Sequence, residues 1–409
     1  MKQKKNMGFL LICLLLVLAF PMNSSAKKPE SLSIAVLTDL TGPYASAMGP
    51  IKPGTEDAIK YVNEELGGID GVKLEMIVRD NTGKTALALQ QYAEVVGMQP
   101  RVFLFSMIHT PMAEALRDKM VQDDVIAFVP SSVEDLYPVG NSYGTYTLYS
   151  EQGATFVRWL RANWKEKRNP RVAMISWDSS YGRSIMVPEA LEYCKKMKVD
   201  VVAKEVFGYR DVDLTTHMAR IRAKKPDWLM TCSNGAGPVA IMKAVRELKM
   251  NIRLANTVGG NHGTIDLAPE LFENCITVFS QIAFDDRSHP GMQKLMTYFN
   301  KNNRTKKDRT MFYVTGWQVV LMIHKVLGDA VAKVGWDNLN TAAIKNELNN
   351  LKNWELFDGI IKVSYSEKRR SPDQLIVYKI KNGEMVPAGG NLGNGEWIEC
   401  PDLRPAKFK

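Results

Sequence analysis

Histidine and cysteine are scarce in this sequence, with five of each in 409 residues. The histidines are His109, His217, His262, His289 and His324. No two stand at a metal-ligand spacing and no HExxH pattern occurs, which argues against a zinc enzyme and predicts no bound metal. A P-loop is missing. Gly235-Ala236-Gly237 sits where a dinucleotide loop would sit, but Pro238 follows and the third glycine is lacking. No cofactor and no enzymatic activity are therefore expected. Beyond the first 26 residues no stretch reaches eighteen consecutive apolar residues, so no membrane-spanning helix is expected there. Long basic stripes with interleaved aromatics are also absent. The net charge of +9 is spread along the chain in short clusters such as 165–168 and 367–370. Such clusters suit solvated helix ends and loops, so no nucleic-acid partner is expected.

What the sequence does have begins at its start. Lys2, Lys4 and Lys5 form a basic region, twelve apolar residues run over 9–20, and Ser24-Ser25-Ala26 places small residues at both positions a signal peptidase reads. This is the pattern of a cleaved export signal, too short to span a membrane comfortably. Cys13 is not a lipidation site, since Ile12 before it is not small and an apolar run follows. Residues 1–26 are expected to be removed and the mature chain to reside in the periplasm. Cys194, Cys232, Cys275 and Cys400 remain, without CxxC spacing. An oxidising compartment permits disulfides, and buried free thiols are the alternative; the sequence does not rank the pairings.

The mature chain alternates short apolar runs with amphipathic helical periods. Strands are predicted over 31–37, 72–78, 101–105 and 125–129, separated by helices over 55–66, 85–96 and 111–121. A polar and aromatic stretch, 143–150, has no helical period. A second series follows, with strands over 171–177, 200–207, 227–231 and 251–255 and helices over 151–165, 183–197, 213–224 and 238–248. Such alternation with short connections is the signature of βαβ units on parallel sheets, and two series imply two α/β lobes. Further on, 275–282 reads as a strand, 290–302, 312–334 and 341–351 as helices, 359–364 and 374–380 as a strand pair, and the Gly/Pro-rich tail from 382 as irregular. In open α/β sheets ligands bind beyond the carboxyl ends of the strands. There the sequence carries Ser106, Ser131-Ser132, Ser179-Ser180-Tyr181 and Ser233-Asn234, suited to an anion or to capping the helices that follow.

The chain resembles the type I periplasmic solute-binding proteins of branched-chain amino-acid ABC importers, the leucine/isoleucine/valine-binding protein family. The resemblance covers roughly 31–381. It rests on AVLTDLTGPY at 35–44, YVNEELGGIDG at 61–71, Arg79-Asp80-Asn81, Ser180-Tyr181-Gly182, and the helix-to-strand segment 213–230. It implies a two-lobed fold with three hinge crossings, near 146–150, 279–283 and 372–374. The first lobe would comprise 27–145 plus 283–372, and the second 146–282 plus 373–409 with the tail. The loops 106–110 and 131–133 are implied to hold a ligand carboxylate. Met107 and Val133 occupy positions where the family has hydroxyls, leaving Ser106, Ser131 and Ser132 as substitutes. Tyr181 is implied to cover the ligand; beyond the resemblance, Tyr44 or Trp177 could share in covering an apolar or aromatic body. Asn234 falls on a tyrosine of the family's ammonium site, and Val258 on its glutamate. The implied function is an extracytoplasmic binding protein, monomeric, that captures an amino acid or related small carboxylate in the inter-lobe cleft and passes it to a membrane permease. The alternative is a ligand-sensing receptor or regulator on the same fold.

Intact mass of protein recovered from the periplasm should correspond to a chain beginning at Lys27. A mature form retaining residues 1–26, or acylated at Cys13, would overturn the export reading.

Overall fold

The computed structural model describes residues 28–132, 136–137 and 140–409. Residues 1–26, the expected export signal, and Val133 lie outside the described residues. The architecture is two α/β sheet cores, each flanked by helices.

The first sheet contains β1 (Ser31–Thr38), β2 (Lys73–Asp80), β3 (Leu104–Ser106), β4 (Ile126–Val129) and β5 (Ser142–Gly144) in the order β2-β1-β3-β4-β5. Every pairing is parallel. β1 is apolar because both its faces are covered. Ile34 and Val36 enter one apolar core and Ala35 and Leu37 the other, following the two-residue period of a strand.

The second sheet repeats this order. β6 (Arg171–Trp177), β7 (Asp200–Phe207), β8 (Trp228–Thr231), β9 (Arg253–Asn256) and β10 (Ile276–Phe279) run in parallel as β7-β6-β8-β9-β10. A short hairpin, β11 (Trp354–Leu356) and β12 (Ile361–Val363), stands apart. β13 (Gln374–Lys381) then joins β10 antiparallel, and β14 (Glu384–Pro387) and β15 (Ile398–Glu399) pair with β13.

Between the two passages through the second sheet, the chain returns to the first. Helix Met311–Val334 crosses helix Ile51–Glu64 in direct backbone contact. A Cβ on Gly54 would lie 2.1 Å from the Tyr313 carbonyl oxygen, and one on Gly316 would lie 2.5 Å from the Thr55 nitrogen. Glycine at both positions is what permits this approach. Beside the crossing Asp57, almost wholly buried, accepts from Arg304 Nε at 2.9 Å and from the Tyr313 hydroxyl at 2.7 Å.

Several sequence expectations are corrected. The helix expected over 183–197 is broken into a turn at Ser180–Arg183, a 3-10 turn at Ser184–Met186 and helix Pro188–Lys196. Val187 is extended (φ −64°, ψ 155°) because the ring of Pro188 disfavours helical backbone before it. The segment 359–364 does not pair with 374–380. Its strand, β12, pairs with β11, and β13 belongs to the second sheet. β5 arises in a stretch with no helical period, and the tail is ordered by pairing. After β15 the tail leaves the second sheet: Leu403 N donates to Glu151 Oε1 at 3.2 Å, and Phe408 stacks on Tyr137 at 5.3 Å between centroids. The four cysteines are buried and free. Among the described residues, no helix is long and apolar enough to cross a membrane.

Asp57→Ala should lower the unfolding free energy in urea by about 3 kcal/mol, the low end for a broken buried pair because Arg304 keeps some contact with water. A loss within experimental error would show that the Asp57 network adds nothing to the helix crossing.

Candidate functional site

In the strand order 2-1-3-4-5, connections leave the first and third strands toward opposite faces, opening a crevice at their carboxyl ends. Both sheets have that order, so the molecule carries two such crevices, past β1/β3 and past β6/β8. They face each other across one cavity.

The turns that follow these strands set its walls. Past β1, the Asp39 carboxylate accepts from the Gly42 and Tyr44 backbone N–H groups at 2.5 and 2.9 Å, a tight loop that fixes Tyr44. Past β3, the chain runs through Ile108 to His109, the extended residue before helix Thr110–Gln122. Past β6, Trp177 is followed by a turn in which the Ser179 hydroxyl accepts from Gly182 N at 3.2 Å. A Cβ on Gly182 would lie 2.0 Å from the Trp177 carbonyl oxygen, so only glycine permits the turn that presents Tyr181. Past β8, Asn234 Oδ1 accepts from Gly235 N and from the Thr264 hydroxyl at 2.8 and 3.1 Å. Past β9, Val258 N donates to Gln152 Oε1 at 2.8 Å.

The cavity between these turns is about 50 Å³, room for a few waters. Aromatic rings fill it from both sides. Tyr44, from the first sheet, lies 5.7 Å from Trp177 and 5.3 Å from Tyr209, both from the second, in edge-to-face contacts. Trp177 and Tyr209 are 4.8 Å apart, and Tyr149 and Tyr181 are 4.7 Å apart. Ile108, Thr110, Val258 and Phe312 complete much of the lining, and among the described residues no Asp, Glu, Lys or Arg contributes. Burial, with Tyr209 beside it, pushes the Tyr44 phenol far above its ordinary value. Burial pushes His109 down to about 4, against a smaller upward pull from Asp39.

Of the residues expected from sequence, Tyr44, Tyr181, Asn234 and Val258 line the cavity, as does Trp177. Four others lie behind the wall. Met107 packs into the core cluster of Leu37 and Phe105, because its N–H continues the β3–β4 ladder to Phe128 O. The Ser131 hydroxyl is engaged by the backbone of Tyr146, donating to its carbonyl at 2.6 Å and accepting from its N–H at 3.0 Å. Ser106 and Ser132 are buried outside the lining. Asp178, the nearest acid in sequence to Tyr181, pairs with Arg183 at 2.6 Å on the surface. His109, Tyr149, Tyr209 and Phe312 enter the site without having been expected. His109 was within reach of sequence reasoning, since it lies in the loop 106–110. The spacing Gly140-Asn141-Ser142-Tyr143-Gly144 matches a nucleophile elbow. Ser142 nevertheless opens strand β5, where Arg370 binds its carbonyl, and it occupies no strand-to-helix turn.

A family model described as periplasmic binding protein matches residues 31–384. The chain belongs to the periplasmic binding protein family. Leu/Ile/Val-binding protein homolog 3 of Brucella melitensis biotype 1 is 26% identical over 157 residues, 38% of this chain; the match spans only 41% of that relative's length. A branched-chain amino-acid ABC transporter protein from Thermus thermophilus with bound valine superposes with a TM-score of 0.78 at 17% identity, over 88% of this chain and 96% of the other. An ABC transporter solute-binding protein from R. palustris in complex with 4-hydroxybenzoate gives 0.73 at 18% identity, over 92% and 98%. One fold thus accommodates ligands with and without an amino group, and this periplasmic binding protein must be read from its own cavity.

Beside the cavity lies a buried ionic cluster. His262 Nε2 stands 2.7 Å from Asp285 Oδ2, and Arg309 Nη1 stands 3.4 Å from Asp285 Oδ1. Burial alone would lower the His262 value, but hydrogen bonds to Asp266 and Asp285 outweigh it and the net shift is upward. Asp285 would be raised by burial and is instead held below the usual carboxylate range by His262. The contribution of His262 to stability is therefore complete below about pH 6.5 and is lost as pH rises through its raised native value; that of Asp285 is present above about pH 3.9. The urea midpoint should fall between about pH 5.5 and pH 8.5 by more in the native chain than in His262→Gln. Parallel profiles would show the pair to be energetically silent.

Proposed function

We propose that this chain is the extracytoplasmic binding protein of an ABC importer, and that its solute is a small carboxylate with an apolar or aromatic body and no required amino group. The observation behind this reading is the cavity itself: two strand-end crevices face each other, walled by aromatic rings and, among the described residues, lacking any acidic side chain. An α-ammonium enclosed there would need an acceptor. A hydrogen bond to a charged group contributes about 1.5–3 kcal/mol, and an unpaired buried charge costs more than that. Val258 is apolar, and Asn234 Oδ1 is already taken by Gly235 and Thr264. Among the described lining residues, no acidic side chain is placed to compensate an ammonium. Tyr44, Trp177, Tyr181 and Tyr209 offer ring faces and edges to an apolar body.

The space of about 50 Å³ is smaller than such a solute. Uptake thus requires the lobes to part and the rings to give way, followed by closure around the ligand. The lobes in this reading are 27–145 with 283–372, and 146–282 with 373–400, the last residues of the tail packing back on the first lobe. The monomer then presents the closed form to a membrane permease.

Thermal-shift measurements with benzoate, 4-hydroxybenzoate and 4-methyl-2-oxopentanoate, against leucine and valine, decide the ligand class. A ligand at about 100 times its dissociation constant adds about 2.7 kcal/mol of stability. At least one acid should raise the melting temperature and the amino acids should not. Stabilisation by leucine or valine, with none from the acids, would overturn the reading of Val258.

A further inference from the structure

We infer that His109 supplies the counter-charge for the bound carboxylate, neutral in the empty cavity and protonated in the complex, so that solute capture takes up a proton. The inference rests on the carboxylate reading above and goes beyond it by assigning the ionic partner.

The geometry carries the assignment. His109 sits at the carboxyl end of β3, where its backbone (φ −150°, ψ 106°) turns into helix Thr110–Gln122. It lines the cavity, is 7% exposed, and its ring lies 5.6 Å from that of Tyr44. Its Nδ1 is buried with no hydrogen-bond partner among the described residues. A buried polar atom left unpaired is costly unless a ligand satisfies it. Among the described residues the lining holds no lysine or arginine, so His109 is the one side chain among them able to become a cation.

The surrounding groups favour the neutral ring until an anion arrives. Asp39, past β1, exerts the opposing pull on His109, and its carboxylate is already engaged by the Gly42 and Tyr44 N–H groups. Tyr44, Tyr181 and Tyr209 are phenols that burial keeps protonated. Tyr149 also lines the cavity, and Glu114, a turn along the same helix, acts on Tyr209. Burial favours the neutral imidazole, with a value of about 4. A carboxylate within a few ångströms favours the imidazolium. The proton comes from solvent, at most one per solute, and no bond is made or broken elsewhere.

The test is titration calorimetry of the full mature chain with benzoate and with 4-hydroxybenzoate at pH 7, in phosphate and in Tris, whose ionisation enthalpies differ. The expected result is uptake of about 0.5–1 proton per solute, with affinity weakening up to tenfold per pH unit above neutrality. His109→Gln, checked for folding by circular dichroism, should bind with roughly tenfold lower affinity and a flat pH profile. Ring 15N shifts of His109 in the native complex should report the imidazolium and need no variant. Tight binding with no proton uptake and a neutral ring overturns the role of His109 while leaving the carboxylate reading intact. Failure of every acid in the panel to bind overturns both.

Discussion

Everything at this site depends on one constraint of parallel pairing, that all the parallel strands of a sheet end on the same side. Each strand end must therefore discharge its chain into a turn at that edge. With two sheets of identical order, the turns past β1, β3, β4, β6, β7, β8 and β9 converge on one small volume. The aromatic side chains there owe their positions to backbone hydrogen bonds one or two residues away, such as the grip of Asp39 on Tyr44 N and the Ser179 cap beside Tyr181. The rings are held by the sheets and only secondarily by one another.

Charge is partitioned accordingly. The buried ionic groups lie around the cavity and not in it: Glu151 with Arg369, His262 with Asp285, Asp57 with Arg304. Each is multiply hydrogen-bonded, the condition under which burying an ion pair is tolerable. Glu151 shows it best, since its two oxygens meet Arg369, Cys400 and the Leu403 N–H. The centre is left low in polarity, where a single unpaired imidazole nitrogen has a large effect.

The alternation of strands and helices was legible because strands covered on both faces read as apolar runs, and helix Thr85–Val96 and strand Arg171–Trp177 have the bounds that their periodicity suggests. What escaped has identifiable causes. β5 is three residues long and carries tyrosine and glycine, too brief for a period to emerge. The pairing of β12 with β11 is a long-range choice that local pattern does not encode. At the cavity, Tyr181 lies on a strand-end turn that the pattern singles out, whereas Val258 is reached through the family resemblance. Met107 and Ser131 were not separable from true lining residues, because a one-residue step along a strand end swaps the cavity for the core. Tyr209 and Phe312 arrive from a turn past an edge strand and from a returning helix, with no signal in the sequence.

The tail has a kinetic meaning. After pairing with β13 it passes over the Glu151–Arg369 pair and ends with Phe408 stacked on Tyr137. Under the opening proposed above, this path would have to bend, or Phe408 would have to peel from Tyr137, before the lobes could part. Such a strap would lengthen the residence time of an enclosed solute without touching it.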